Sequence, residues 1–360
     1  MANPLKKLNQ VQADYKQLDA KDRKKFWVDG ILNNALYILM AIFVIYTASV
    51  RPNFLTLGSF ANLITQVAAY LPMALGIAGC IVLTGTDLSA GRVSGLTAAV
   101  AAVMLQKSDF ANKMFQMLPE VTLGWILLVM LGVVLIGAVI GLVNGYFVAK
   151  FSLHPFIVTL STQLITYGVI LWFFGLNGNN GQPFSGLDKQ YKDFVGGALF
   201  RLGGVAVPMY VLYAVVLVAV MWFIWNKTAF GKNMFAVGSN PEAANVSGVN
   251  VAKTTILVHT LAGAMYGITG FIESARIGSN SANTGLNYEC DAIAACVIGG
   301  VSFVGGTGKV SGIVLGVFLL RIIFVALNFL SINPNMQYVI KGLIILVAVS
   351  IDMRKYLVRK

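Results

Sequence analysis

Few side chains in this sequence have the types and spacing for chemistry. His154 and His259 are far apart, and neither has a carboxylate or cysteine at metal-ligand spacing. Cys290 and Cys296 have no further cysteine near them, because Cys80 is remote, so zinc and iron–sulfur patterns are absent. All three cysteines read as small buried apolar residues. The run from Gly305 to Val310, G-G-T-G-K-V, invites a phosphate-loop reading. That motif needs glycine five residues ahead of its Gly-Lys pair and Ser or Thr after it, and Phe303 and Val310 occupy those places. Any nucleotide hydrolysis therefore belongs to another polypeptide, and no cofactor is expected within this chain. Intramembrane carboxylates would mark an ion-coupled carrier, but Asp87, Glu273 and Asp291 stand near the ends of apolar segments. Arg321 is the deepest charge, about 15 Å from either end of its segment at 1.5 Å per residue. It is expected to line a pathway, pair with a carboxylate, or extend its stem toward a polar face.

The elements that position these groups follow from composition. Of 360 residues 57% are hydrophobic and 11% charged, and the mean hydropathy is +0.77. A soluble domain is about 25% charged. Disorder is excluded by the apolar content, and a disulfide scaffold by three cysteines. Ten segments approach the roughly 20 apolar residues that cross a bilayer. They are 31–50, 63–85, 89–106, 121–149, 155–176, 208–225, 253–275, 291–304, 309–331 and 336–351. The fourth is overlong and is expected to tilt. The eighth is short and ends in a glycine-rich run, so it reads as a half-span or broken helix. The runs Ile126–Leu131 and Val314–Leu320 lack the alternation of a membrane β-barrel. The expected fold is therefore an all-α membrane protein of about ten transmembrane helices. A cytoplasmic arm spans 1–30, the permease domain 31–352 and a cytoplasmic tail 353–360.

Most of the 26 lysines and arginines fall on one side when both termini are placed inside, Arg92 among them. The net charge of +12 is thus topological and gives no support for nucleic-acid binding. Glycines recur every fourth residue at Gly137, Gly141 and Gly145, at Gly263 and Gly267, and at Gly308, Gly312 and Gly316. That spacing lets helices pack backbone to backbone. Gly91–Leu96 (G-R-V-S-G-L) echoes Gly308–Ile313 (G-K-V-S-G-I), and both would open a span at the inner face.

The loop 226–252 lands inside and carries its own helix signals. Asn240 suits an N-cap, Pro241 the first helical position, Glu242 the positive end of the helix dipole, and Gly248 a left-handed stop. A helix of about two turns is expected, with Ala243 and Ala244 letting another surface approach closely. Phe230, Lys232 and Phe235 are expected to anchor it to the membrane face. An ordinary connecting helix is the alternative.

The pattern T-x-F-G-K-N-x-F-A-x-G-x-N-P-E-A-A-x-V-S-G-V-N at Thr228–Asn250 resembles the cytoplasmic coupling loop of bacterial ABC sugar-importer permeases. L-T-G-T-D-L-S-A-G at Leu83–Gly91 and D-A-I-A-A-C-V-I-G-G-V-S-F-V-G-G at Asp291–Gly306 agree. The resemblance covers Phe54 to Lys355 and leans to the galactose/methyl-galactoside branch, with ribose permeases close by. It implies a permease in the bacterial cytoplasmic (inner) membrane that acts as a pair of identical copies. It also implies a cytoplasmic ATPase with two fused nucleotide-binding modules, which uses ATP and Mg, and an extracytoplasmic sugar-binding protein. The coupling helix would be Asn240, Pro241, Glu242, Ala243 and Ala244, closed by Gly248. Asp87 and Ser89 either cap the third span or face the pathway and bind sugar hydroxyls; Arg321 and Asp291 are further pathway candidates. Ribose, other pentose or nucleoside import and ion-coupled carriage are the competing functions.

Overall fold

A computed structural model of the chain describes residues 35–357 and the isolated Asp19. The lysine-rich arm lies outside these residues apart from Asp19. Helices occur in each of the ten apolar segments: α1 (Ala35–Val50), α2 (Leu57–Val82), α3 (Ala90–Met104), α4 (Leu123–Phe151), α5 (Pro155–Gly175), α7 (Tyr210–Lys227), α10 (Val251–Ile277), α11 (Tyr288–Ile298), α12 (Val310–Phe329) and α13 (Pro334–Leu357). Between α5 and α7 stand the short helix α6 (Lys189–Gly196) and an antiparallel hairpin of β1 (Ala198–Leu202) and β2 (Val205–Pro208). Between α7 and α10 stand α8 (Ala229–Ser239) and α9 (Pro241–Val246).

Six of these helices, α2, α4, α5, α7, α10 and α12, are long and apolar enough to cross a membrane. α3 and α11 are not. At 1.5 Å per residue they reach only about 22 Å and 16 Å, against a hydrocarbon core of about 30 Å. Helix starts follow local sequence. Thr56 accepts from Ser59 N, Thr122 from Trp125 N and Asn250 from Lys253 N, so α2, α4 and α10 each open on a side-chain cap. α5 opens on Pro155, with His154 Nδ1 accepting from Phe156 N.

α2 is the central element, touching α7, α10, α11 and α12. The tightest pair is α4 against α10, and glycine makes it. A side chain at Gly137 would strike the Gly263 carbonyl, one at Gly141 the His259 carbonyl, and one at Gly145 the Ile256 backbone. Gly263 and Gly267 meet Gly137 and Val133 from the other side. α11 and α12 repeat the device, Gly312 lying against Gly299 and Gly316 against Ala295. The two echoed hexapeptides both open a helix, α3 and α12. The long polar segment before α7 is a folded cap. Its Tyr191 is fully buried and donates to the Phe271 carbonyl at 2.6 Å, and Phe184 and Asn280 exchange backbone bonds of 2.8 and 2.9 Å.

Gly141→Val is therefore expected to be among the costliest substitutions, losing about 3 kcal/mol or more by overpacking. Gly168, with open space around it, should accept alanine at no cost or a gain of up to about 1 kcal/mol. Thermal melts of the two variants in detergent check the contrast; equal melting temperatures would contradict the glycine contact.

Candidate functional site

The segment after α7 folds as its sequence dictates. Thr228 Oγ1 accepts from Gly231 N and opens α8, and Asn240 Oδ1 accepts from Ala243 N at 3.0 Å and opens α9. Pro241 takes the first helical position and Glu242 stands in the first turn. Gly248 has φ +84°, and the chain closes with Val249 N donating to Ala244 O at 3.0 Å. Glu242, Ala243 and Asn245 are exposed, and Val246 is 89% exposed. Ala244 is buried. It faces this protein, so Ala243 alone of the two alanines offers an incoming surface a low profile. A groove of about 700 Å³ lies beside the helix, between Pro241, Glu242 and Asn245 on one wall and Val148 and Ser152 at the end of α4 on the other. Phe230 and Phe235 are both half-buried against the bundle, with the Phe235 ring 5.5 Å from that of Trp225, while Lys232 is exposed.

The three motifs that are far apart in sequence meet in space. Gly306 N donates to Val82 O at 2.9 Å. A side chain at Gly238 would strike that same Val82 carbonyl, and one at Gly305 would strike Thr84 and the Gly238 carbonyl. Gly305 and Gly306 have φ of +90° and +67°, so glycine is needed there for conformation as well as room. The end of α8, the loop before α3 and the loop after α11 thus touch backbone to backbone.

Two buried polar clusters lie deeper. Asp87 is fully buried; its Oδ1 accepts from Ser89 N at 2.9 Å and Ser89 Oγ at 2.6 Å, and its Oδ2 from Tyr266 OH at 3.2 Å. Ser89 Oγ in turn accepts from Asn144 Nδ2 at 3.1 Å, and Asn144 Oδ1 accepts from Thr162 at 2.6 Å. Asn144 is more than a turn inside α4, about 10 Å from its end by the helical rise. The start of α3 therefore lies inside the bundle, not at its face. Arg92 goes with it: buried, it donates to the Ala282 carbonyl at 3.1 Å and lies 4.1 Å over the Tyr167 ring. It does not mark the inner surface as its charge suggested.

Asp291 is the second correction to depth. It belongs to the first turn of α11, yet its Oδ2 accepts from Arg321 Nη2 at 2.6 Å, in the middle of α12, and Lys341 Nζ lies 2.6 Å from its Oδ1. The Arg321 guanidinium covers the Tyr70 ring at 3.6 Å. Of the three readings of Arg321, pairing with a carboxylate describes the geometry, and the pair also lines a cavity of about 280 Å³. Glu273 is buried and held by Arg276 and by Tyr288 OH at 2.6 Å. Lys341, Tyr70 and Val246 join these sites only through the fold. The lysine and the tyrosine are cued by a second charge and a ring inside apolar segments, and the valine only by its place next to a stop signal.

A bundle with six spanning-length helices, two shorter helices that start inside it and a short capped helix between spans has the build of a polytopic membrane protein. Residues 59–349 match the family described as branched-chain amino acid transport system / permease component, and the chain belongs to that family. It is 44% identical over 337 residues to the galactose/methyl galactoside import permease protein MglC of Escherichia coli (strain K12), which covers 94% of this chain and 98% of that one. The MglC protein of Treponema pallidum (strain Nichols) is 41% identical over 91% of this chain and 64% of its own length. The ribose import permease protein RbsC of Escherichia coli (strain K12) is 32% identical over 92% and 97%. No solved structure matches.

Asn240→Ala should cost α9 about 1 kcal/mol of local stability, read as faster amide exchange over 241–246 with the rest of the chain unchanged. Asp87→Ala strands three buried donors and should cost about 2–3 kcal/mol, with Asp87→Asn losing less. Equal melting temperatures for the two Asp87 variants would contradict the network.

Proposed function

We propose that this chain is the membrane-spanning subunit of an ABC importer for galactose and methyl galactosides. The observation that carries the reading is 44% identity along 98% of the length of a galactose/methyl galactoside permease, against 32% for a ribose permease. In this reading two copies of the chain form the pathway in the cytoplasmic membrane of a bacterium, with ten helices each and both termini inside. A cytoplasmic ATPase with fused nucleotide-binding modules seats α9 and supplies ATP and Mg chemistry. An extracytoplasmic sugar-binding protein delivers the monosaccharide. α9 suits that docking because its exposed side, Glu242, Ala243, Asn245 and Val246, combines a charge, a low profile and an exposed apolar tip beside an open groove. ATP-driven closure of the partner would move α9 and, through Gly238, the loops at Val82 and Gly305, tilting the helices around the pathway.

The test is uptake of labelled methyl galactoside in cells that lack their own permease but hold the partner ATPase and binding protein. Wild type should restore uptake, with ribose a poor substrate. Ala243→Trp should abolish uptake while the protein stays in the membrane and the ATPase retains its uncoupled activity. Normal uptake by Ala243→Trp would overturn the docking assignment, and ribose uptake alone would shift the substrate to the pentose branch.

A further inference from the structure

The cavity beside Asp291, Arg321 and Lys341 joins α2, α11, α12 and the start of α13, and it has the composition of a ligand site more than of a packing defect. Its volume is about 280 Å³. Its floor is charged and buried: Arg321 and Asp291 side chains are 7% and 6% exposed. Burying such a group is costly unless every polar atom is satisfied. Here Arg321 Nε and Asp291 Oδ1 are both buried without a hydrogen bond among the described residues. Asp291 nonetheless has each oxygen 2.6 Å from a cation, Arg321 Nη2 and Lys341 Nζ, so the cavity offers no unpaired carboxylate for a metal ion. Its rim is neutral. Gln337 Nε2 donates to Asn328 Oδ1 at 2.9 Å, which leaves the Gln337 carbonyl and the Asn328 amide nitrogen available. Gln66, half-buried on the opposite wall, has no hydrogen-bond partner among the described residues. Tyr338, 56% exposed, and Phe324 add aromatic surface.

Amide groups both donate and accept, as sugar hydroxyls do. An aromatic face packs against the C–H face of a pyranose, whose hydrogens carry partial positive charge. A few placed polar groups among rings is the composition of small-molecule sites. We infer that this cavity is a binding subsite for a neutral pyranose on the transport pathway, with Gln66, Asn328 and Gln337 as its hydrogen-bonding groups. The inference rests on the importer reading. In the orientation proposed above, α12 ends and α13 starts at the outer face, so the subsite lies where sugar enters from the binding protein. Asp291 and Lys341 are positioning residues that hold the Arg321 side chain in the cavity wall.

Two measurements test it. Asn328→Ala and Gln337→Ala alter rim side chains and leave the charged floor intact. Each should lower methyl galactoside uptake roughly tenfold, the effect of one lost hydrogen bond, with membrane content and binding-protein-stimulated ATP hydrolysis retained. Separately, Tyr338→Cys in a Cys290→Ser background should react with a hydrophilic maleimide in the purified full-length complex. Millimolar methyl galactoside should slow that reaction several-fold, and ribitol, an open-chain polyol, should not. Wild-type uptake together with unchanged uptake in both rim variants and no protection overturns the subsite while leaving the importer reading standing. Absence of uptake by wild type itself overturns both. Equal protection by ribitol overturns the pyranose assignment.

Discussion

Helix ends inside an apolar bundle must satisfy their own backbone groups, and this constraint organises the whole molecule. α3 and α11 are too short to cross and start among other helices, so free N–H groups and irregular chain lie where water is scarce. The sequence meets the cost with carboxyl groups in or just before each first turn. Asp87 takes the Ser89 N–H and hydroxyl, and α11 begins with Glu289 and Asp291, favoured by the helix dipole. Each carboxyl group then needs its own partner: Tyr266 and the Ser89–Asn144–Thr162 chain for Asp87, and Arg321 and Lys341 for Asp291. One requirement thus places both of these buried clusters.

The same irregular loops form the joint to α8, which runs into α9. Val82, Gly238 and Gly306 meet there through backbone atoms. α4 and α10, keyed by glycine at every fourth residue, give a stiff pair beside the joint. α10 also starts directly after α9, at Val251. The element that a partner would push is therefore continuous in the chain with the rigid pair and in backbone contact with the broken-helix loops.

What the sequence made legible was local. The cap at Asn240 depends on residues three apart, and the close backbone packing at Gly137, Gly141, Gly145, Gly263 and Gly267 on a four-residue period, so both read directly from the letters. Depth was not legible. Counting residues from the end of an apolar run puts Asp87, Asp291 and Arg92 near a membrane face, which holds only if each run spans. The cue that it does not is the glycine-rich chain flanking α11 and the loop before α3. The inward turn of Ala244 was equally hidden, since a helix of six residues has no period long enough to reveal which face is covered. Pairing of Asp291 with Arg321 and Lys341 joins three helices, and no local pattern announces it.

The energetics of these clusters also bear on how transport is driven. An ion-coupled carrier needs a carboxylate that gains and loses its charge or its cation during the cycle. Asp291 is clamped between two cations, Glu273 is held by Arg276 and Tyr288, and Asp87 is held by Ser89 and Tyr266. Releasing any of them would leave a charge or several donors unpaired in the interior, at a cost of several kcal/mol. These three carboxyl groups are kept paired, while a fourth buried one, Glu289, has no ion pair among the described residues. In the importer reading proposed above, the work of transport enters from outside the bundle, and the exposed, capped helix α9 beside the joint at Val82, Gly238 and Gly306 is the route that reading assigns to it.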